Sequence, residues 1–224
     1  MEKKPYTIGV FLKNPATKPV KTRLARDIGR EGAVAVYLSM LQIIFKTLSE
    51  FGSSEVVLSV AGGVRDLELP FPWENQGEGS LGERMSSFFL DHLKQSQKVI
   101  LIGSDCPYTD TDDIREAIDA LDHSEVVFQP ANDGGYTLIG MRDFFPDLFE
   151  KMPWSTQDLM ESTLAVLNSL GVSYRLLAER NDIDTFEDLR LWLHGGGEGE
   201  LRKLSADSGI DGKLLISILQ ASGG

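Results

Sequence analysis

The sequence predicts a three-layer α/β/α sandwich with a mostly parallel, mixed sheet. Short β-rich apolar runs alternate with longer stretches of helical periodicity, the pattern that covers both faces of a parallel sheet with helices. Hydrophobic residues make up 42% of the 224 residues and charged residues 25%, enough apolar content for one sizeable core. No stretch approaches the ~20 consecutive apolar residues of a membrane span.

Each element has a local reason. Residues 6–12 (YTIGVFL) read as a buried strand, followed by a Pro-punctuated loop from Lys13 to Pro19. From Gly29 to Phe51 the apolar residues Ala33, Val36, Tyr37, Met40, Leu41, Ile44, Phe45 and Leu48 recur at spacings of three and four, so one helical face is buried. Gly52 is its expected C-cap. Residues 55–60 (EVVLSV) are a second strand, and residues 66–80, with Pro70, Pro72 and several glycines, are expected to be irregular. Leu81 to Leu93 read as a helix and residues 98–103 (KVILIG) as a third buried strand. Asp110 or Thr111 caps the next helix, whose core face is Ile114, Ala117, Ile118 and Leu121.

Strands at 125–130 and 136–141 flank Asn132-Asp133-Gly134-Gly135. Ser155 is expected to open a helix, with Asp158 in the capping-box position and Gly171 closing it. A strand at 172–177 precedes a helix capped by Thr185, with Asp188 three residues on. The run His194 to Gly199 reads as a flexible break. Residues 1–194 are therefore expected to form one domain. Residues 195–224 read as a Gly-rich linker and a small helical extension with Leu214, Leu215, Ile218 and Leu219 on its apolar side.

Charge narrows the partners. Lys+Arg 22 against Asp+Glu 34 gives −12, which repels a nucleic-acid backbone at long range. A small anion remains possible at a local basic site. Cys106 is the only cysteine, so no internal disulfide is expected, which fits a reducing cytoplasm. The start, MEKKPYTIGVFLKNP, has no apolar run of signal-peptide length.

Open α/β sheets bind ligands beyond the carboxyl ends of their strands, which selects the loops 13–23, 103–108, 131–136 and 178–185. The first is basic in an acidic chain: Lys13, Lys18, Lys21, Arg23 and Arg26 supply what phosphate needs, or they form a solvated surface loop. It is not a P-loop. Asp105, after the third strand, is either a carboxylate for Mg²⁺ or a turn residue bonded to backbone. Asp184, just before the Thr185 cap, either completes a cation site with Asp105 or is an acid favoured by the helix dipole. Asp133-Gly134-Gly135-Tyr136 is either a hairpin turn or a close backbone approach to a ligand, with Asp133 and Tyr136 facing it. Gly77-x-Gly79-x-x-Gly82 matches the dinucleotide fingerprint. Pro70 and Pro72 make the preceding segment a poor central strand, so the required strand–turn–helix is expected to be missing and an NAD site is disfavoured. His92, His123 and His194 lack metal-ligand spacing, and Cys106 beside Asp105 reads as inert.

Six motifs occur in order: Val20-Lys-Thr-Arg-Leu24, Gly77 to Met85 (GEGSLGERM), Ile102-Gly-Ser-Asp-Cys-Pro107, Asp133-Gly-Gly-Tyr136, Pro153-Trp-Ser-Thr156 and Asp182-Ile-Asp-Thr-Phe-Glu-Asp-Leu189. Through them the chain resembles a little-characterised, MobA-like bacterial family within the GT-A superfamily of nucleotide-diphospho-sugar transferases, over about residues 6–193. The resemblance implies a Rossmann-like GT-A domain and a transferase dependent on Mg²⁺ or Mn²⁺. It implies Lys21, Arg23 and Asp105 as catalytic residues, and Lys13, Lys21, Thr22, Arg23, Gly82 and Arg84 at the nucleotide and its phosphates. Asp105 and Asp184 would hold the metal. Asp133, Gly134, Gly135 and Tyr136 would lie near the acceptor or sugar. The first loop lacks the Gly-rich, Arg-containing pattern of sugar-nucleotide pyrophosphorylases, and the third strand lacks a full Asp-x-Asp. The expected partners are thus a nucleotide sugar or an NTP and a small-molecule acceptor. Glycosyl transfer is the first reading. Nucleotidyl transfer and a non-catalytic nucleotide-binding module are the alternatives.

Overall fold

The computed structural model of the protein describes residues 3–197 and 199. Seven strands form one sheet: β1 (Thr7–Lys13), β2 (Val56–Ala61), β3 (Trp73–Asn75), β4 (Val99–Gly103), β5 (Val126–Pro130), β6 (Tyr136–Met141) and β7 (Tyr174–Leu176). Their order is β3-β2-β1-β4-β6-β5-β7. β6 runs antiparallel to β4 and β5, and the remaining pairings are parallel. The helices are α1 (Ala25–Leu48), α2 (Leu81–His92), α3 (Thr111–Ala120), α4 (Leu159–Leu170) and α5 (Phe186–Trp192), with a 3₁₀ turn at Pro146–Leu148.

Strand periodicity divides the core in two. Ile8, Val10 and Leu12 of β1, with Ile100 and Ile102 of β4, pack under α1, α3 and α5. Val99, Leu101, Phe128 and Ile139 face the other way, onto Phe88 and Phe89 of α2 and Leu167 of α4. Gly9 lets α2 approach the central strand, since a Cβ there would lie 2.1 Å from the Phe88 ring. The three-layer, mostly parallel architecture expected from the sequence is what the chain adopts. α1 is long and apolar enough to cross a membrane, but 61% of its most apolar window is buried inside the fold, as in a core helix.

Four expectations are corrected. Residues 73–75 form β3, parallel to β2 at the edge of the sheet; Pro72, whose carbonyl accepts from Leu58 N–H at 2.9 Å, is tolerated because it precedes the first residue of the strand. The strand–turn–helix around Gly77 to Gly82 is therefore present, as β3, loop and α2, but it lies away from the central strand where a dinucleotide fold carries its fingerprint. α1 begins at Ala25, before Gly29, which breaks the helical geometry with φ 74°. Ser155 opens no helix: it has φ 63°, and α4 starts at Leu159 with no side-chain cap from Asp158. Leu193–Gly197 follow α5 as a π-helical turn whose helical geometry is broken at Gly196, φ 117°. The expected helical extension and its leucines lie outside the described residues.

Candidate functional site

The chain runs from β1 out to β2 and β3, then crosses back over β1 to β4. The carboxyl ends of β1 and β4 thus flank the switch point where such sheets hold ligands. Tyr37 of α1 closes the seam beneath it. The backbone N–H of Lys13 donates to the Tyr37 hydroxyl at 2.8 Å, that hydroxyl lies 3.1 Å from the Lys13 carbonyl, and it meets Ser104 Oγ at 3.3 Å. Burial pushes the Tyr37 hydroxyl up to about 12.

The loop after β1 is tied down by Asn14, which is fully buried. Its amide donates to the carbonyls of Gly63 and Arg65 at 3.0 and 2.8 Å, and its Oδ1 accepts from Ala16 N–H at 2.9 Å. Buried Val20 and Leu24 anchor the far end of the loop. Between them Lys21 takes a left-handed conformation, φ 46°, and turns its side chain inward.

There the Lys21 ammonium lies 2.7 Å from Asp105 Oδ1 and 3.0 Å from Asp184 Oδ1, so those two oxygens are no more than about 5.7 Å apart. The lysine side chain is 2% exposed and the two carboxylates are 50% and 41% exposed. Burial draws the ammonium pKa down, but the charges of Asp105 and Asp184 and their hydrogen bonds outweigh it and raise it overall.

Asp184 is fixed by the start of α5. Asp188 Oδ2 accepts from the N–H groups of Asp184 and Thr185 at 3.2 and 2.8 Å and from Thr185 Oγ1 at 2.7 Å, the capping box legible in the sequence. The same loop is clamped to α3 by Arg180, whose guanidinium makes two 2.9 Å bonds to buried Asp113. Asp182, beside this cluster, is pushed up to about 6 by burial and then by the charges of Asp184 and Asp133, with Lys21 opposing.

A second feature shares the loop after β1 with this cluster, though none of Lys21, Asp105 and Asp184 lines it. An open cleft of about 680 Å³ is lined by Lys13, Lys18, Pro19, Ala61, Gly62, Gly63, Asn75, Gly77, Glu78, Gly79 and Arg84, a volume within the usual range for small-molecule sites. Arg84 bonds to the Gln76 side-chain oxygen, and Gln76 Nε2 donates to the Ser59 carbonyl at 3.1 Å, so its guanidinium is anchored to β2. Gly77 and Gly79 have φ of 81° and 100°, and nothing lies within 4 Å of where a Gly77 side chain would start.

The structure thus brings together Lys21, Asp105 and Asp184, and it gathers Lys13 and Arg84 in the cleft. Thr22 instead lines a smaller groove of about 330 Å³ with Lys18, Arg26 and Arg30. Arg23 is exposed and lines neither of these grooves. Gly82, expected at the nucleotide, does not line the cleft and packs α2 against the segment before α4, where a Cβ would lie 2.6 Å from the Phe149 carbonyl oxygen and 2.7 Å from Trp154 Nε1. At Gly134 the close approach is to protein, 2.1 Å from a Cβ to the Gln157 carbonyl oxygen. Asp133 Oδ1 accepts from Gly135 N–H at 2.9 Å, a turn bond. The Tyr136 ring packs 5.1 Å from Phe128, and its hydroxyl is buried without a hydrogen-bond partner among the described residues. Sequence reasoning missed Asn14, Tyr37, Gln76, Ser104 and Asp182. Only Asn14, a turn-forming residue just past a strand, carried a local signal.

The arrangement can fix phosphates on cations and can hold a cation between two carboxylates. A divalent ion suits this donor set. Both carboxylates offer hard oxygens, and both already converge on one positive charge, the Lys21 ammonium. Among the described residues no group of three or more Asp, Glu, His or Cys side chains forms a metal cage, so water and substrate oxygens would complete the coordination.

The sequence profile of DUF2064, described as an uncharacterized protein conserved in bacteria, matches residues 46–156. No curated protein matches the chain. Among solved structures, a candidate nucleotide-diphospho-sugar transferase from Desulfovibrio desulfuricans G20 is 26% identical with a TM-score of 0.81, covering 91% of this chain and 96% of that one. A cytidylyltransferase from Leptospira borgpetersenii serovar Hardjo-bovis is 12% identical with a TM-score of 0.54, covering 92% and 96%. CMP:2-keto-3-deoxy-manno-octonic acid synthetase complexed with CTP is 14% identical with a TM-score of 0.52, covering 88% and 100%. Residues 46–156 thus match that bacterial family, and the chain as a whole has the GT-A-like fold of nucleotide-diphospho-sugar transferases and cytidylyltransferases.

Proposed function

We propose that the chain is a divalent-metal-dependent transferase that moves a glycosyl group from a nucleotide-diphospho-sugar to a small acceptor. One observation carries this reading: two carboxylates from distant loops, Asp105 and Asp184, meet at one cation beside a cleft lined by Lys13, Lys18 and Arg84. The nucleotide lies in the cleft, where glycine backbone allows close approach and Arg84, braced by Gln76, meets a phosphate. Lys13 and Lys18 add charge along the same wall, and Arg23 reaches the phosphates from the exposed side. Asp105 and Asp184 hold Mg²⁺ or Mn²⁺, which when bound supplies charge neutralisation for the leaving diphosphate. Lys21 donates to the phosphates from the closed side of the site. The 133–136 loop, with Asp133 exposed beside Asp182, borders the acceptor. The gain comes from positioning and fixed charge, with no covalent intermediate on the chain.

A melting-temperature screen against UDP-, GDP-, CDP- and ADP-sugars and NTPs, with and without Mn²⁺, tests the reading. A ligand at 100 times its dissociation constant stabilises by about 2.7 kcal/mol, a readily measured shift. Product analysis by mass then separates the reactions. Release of a nucleoside diphosphate supports glycosyl transfer, and release of pyrophosphate from an NTP replaces it with nucleotidyl transfer. A metal-dependent shift with no turnover for any acceptor leaves a binding module.

A further inference from the structure

Lys21 stands where the divalent ion would. Its ammonium bridges one oxygen of each carboxylate at 2.7 and 3.0 Å. Solvent reaches both carboxylates, but the position between them is filled by a side chain that is itself 2% exposed. The backbone is bent to deliver it. A φ of 46° is unfavourable for a residue with a Cβ, on the order of 1 kcal/mol. Buried Val20 and Leu24 on either side, and the bond from Ala25 N–H to the Lys21 carbonyl at 2.9 Å, hold the turn.

An ammonium and a divalent ion cannot share that position, because their mutual repulsion at such a distance opposes the attraction each feels for the carboxylates. A free ion therefore meets a pair of carboxylates whose charge is already half offset. A diphosphate arriving in the adjoining cleft gives the ammonium another anion to bind, and the four-carbon lysine stem can follow it.

We propose that Lys21 is a lock on the metal site: it occupies Asp105 and Asp184 until the phosphates of a nucleotide draw its ammonium away, so that the ion and the nucleotide bind together. This rests on the reading above that these two carboxylates hold the metal. Binding of each partner then raises the affinity of the other by the same factor, as linkage requires.

The test is the affinity of the full chain for Mn²⁺ alone, read from the electron-paramagnetic signal of the free ion, with no nucleotide and no turnover. Lys21→Met removes the ammonium and keeps the length, Lys21→Arg keeps the charge, and Arg26→Ala removes a surface charge that touches neither carboxylate. Melting curves establish that each variant is folded, and Lys21→Gln replaces Lys21→Met if the latter is not. The lock predicts Mn²⁺ affinity at least about tenfold higher in Lys21→Met, about 1.4 kcal/mol, little change in Lys21→Arg and Arg26→Ala, and loss of the gain when Asp105→Asn is added. Equal, measurable affinity in wild type and Lys21→Met overturns the lock and leaves the metal reading standing. No Mn²⁺ binding by either protein alone overturns the lock, and no Mn²⁺ binding by the wild type with a nucleoside diphosphate present overturns the metal reading as well.

Discussion

The N–H of Ile183 donates to the carbonyl of Asp105 at 3.0 Å. This bond joins the loop after β4 to the loop before α5, so the two segments that carry the site's carboxylates are held as one piece. Ile183 is fully buried in the core under α1, α3 and α5, which places the joint on the rigid side of the loop.

Arg180 braces that joint from outside. Arg180→Ala leaves the buried Asp113 carboxylate without its guanidinium partner, a loss of about 2 kcal/mol. The expected fall in melting temperature is about 4–8 °C. Arg180→Lys is expected to recover only part of it, because the paired geometry is lost. Asp113 and Arg180 replaced together should melt higher than Arg180→Ala alone, and melting curves of the three variants check this.

Tyr37 gives the fold an alkaline limit. Its hydroxyl titrates near pH 12 in the folded chain against an ordinary value of 10.0, so the neutral form is favoured by folding. Its contribution is fully present below pH 10 and is lost as the pH rises through 12. Denaturant titrations between pH 8 and about pH 11 should show wild-type stability falling more steeply than that of Tyr37→Phe, because above pH 10 the unfolded chain loses a proton that the folded chain keeps. Tyr37→Phe should cost about 1–2 kcal/mol at neutral pH, through the unpaired Lys13 N–H and Ser104 hydroxyl.

Gly82 is assigned to packing, and this separates it from the glycines of the cleft. Gly82→Ala is expected to cost about 1–3 kcal/mol, because the Phe149 backbone cannot easily retreat. Nucleotide affinity of the folded variant should stay within about twofold of wild type, a few tenths of a kcal/mol. Calorimetric titration checks the second point, and a large affinity loss in a stable variant would return Gly82 to the ligand.

Much of the fold was legible because its signals are local. Alternating apolar runs gave β1, β2, β4, β5 and β6, and the caps Asp110, Thr185 and Gly171 fixed helix ends within a residue or two. β3 was not legible, since three residues between prolines and glycines become a strand only by lying against β2. Ser155 misled because a capping-box pattern says nothing of the backbone, which there turns left-handed. At the site, charge and loop position picked out Lys21, Asp105 and Asp184, whereas Tyr37, Gln76 and Ser104 looked like ordinary core and loop residues. Their roles come from tertiary contacts with residues far along the chain.

Arg84 should matter for affinity more than for the fold. Arg84→Ala removes a guanidinium from the cleft wall and leaves Gln76 bonded to the Ser59 carbonyl. The expected result is a nucleotide affinity about tenfold weaker, about 1.4 kcal/mol, with a melting temperature close to wild type.

The most direct measurement is a calorimetric titration of nucleoside diphosphates (UDP, GDP, CDP and ADP) into the wild-type chain and into Asp105→Ala and Asp184→Ala, each with and without Mn²⁺. The account predicts that at least one nucleotide binds wild type more tightly with Mn²⁺ by about tenfold or more, about 1.4 kcal/mol, and that either substitution abolishes this metal-dependent gain. Nucleotide binding of equal strength with and without Mn²⁺, unchanged in Asp105→Ala and Asp184→Ala, would contradict it.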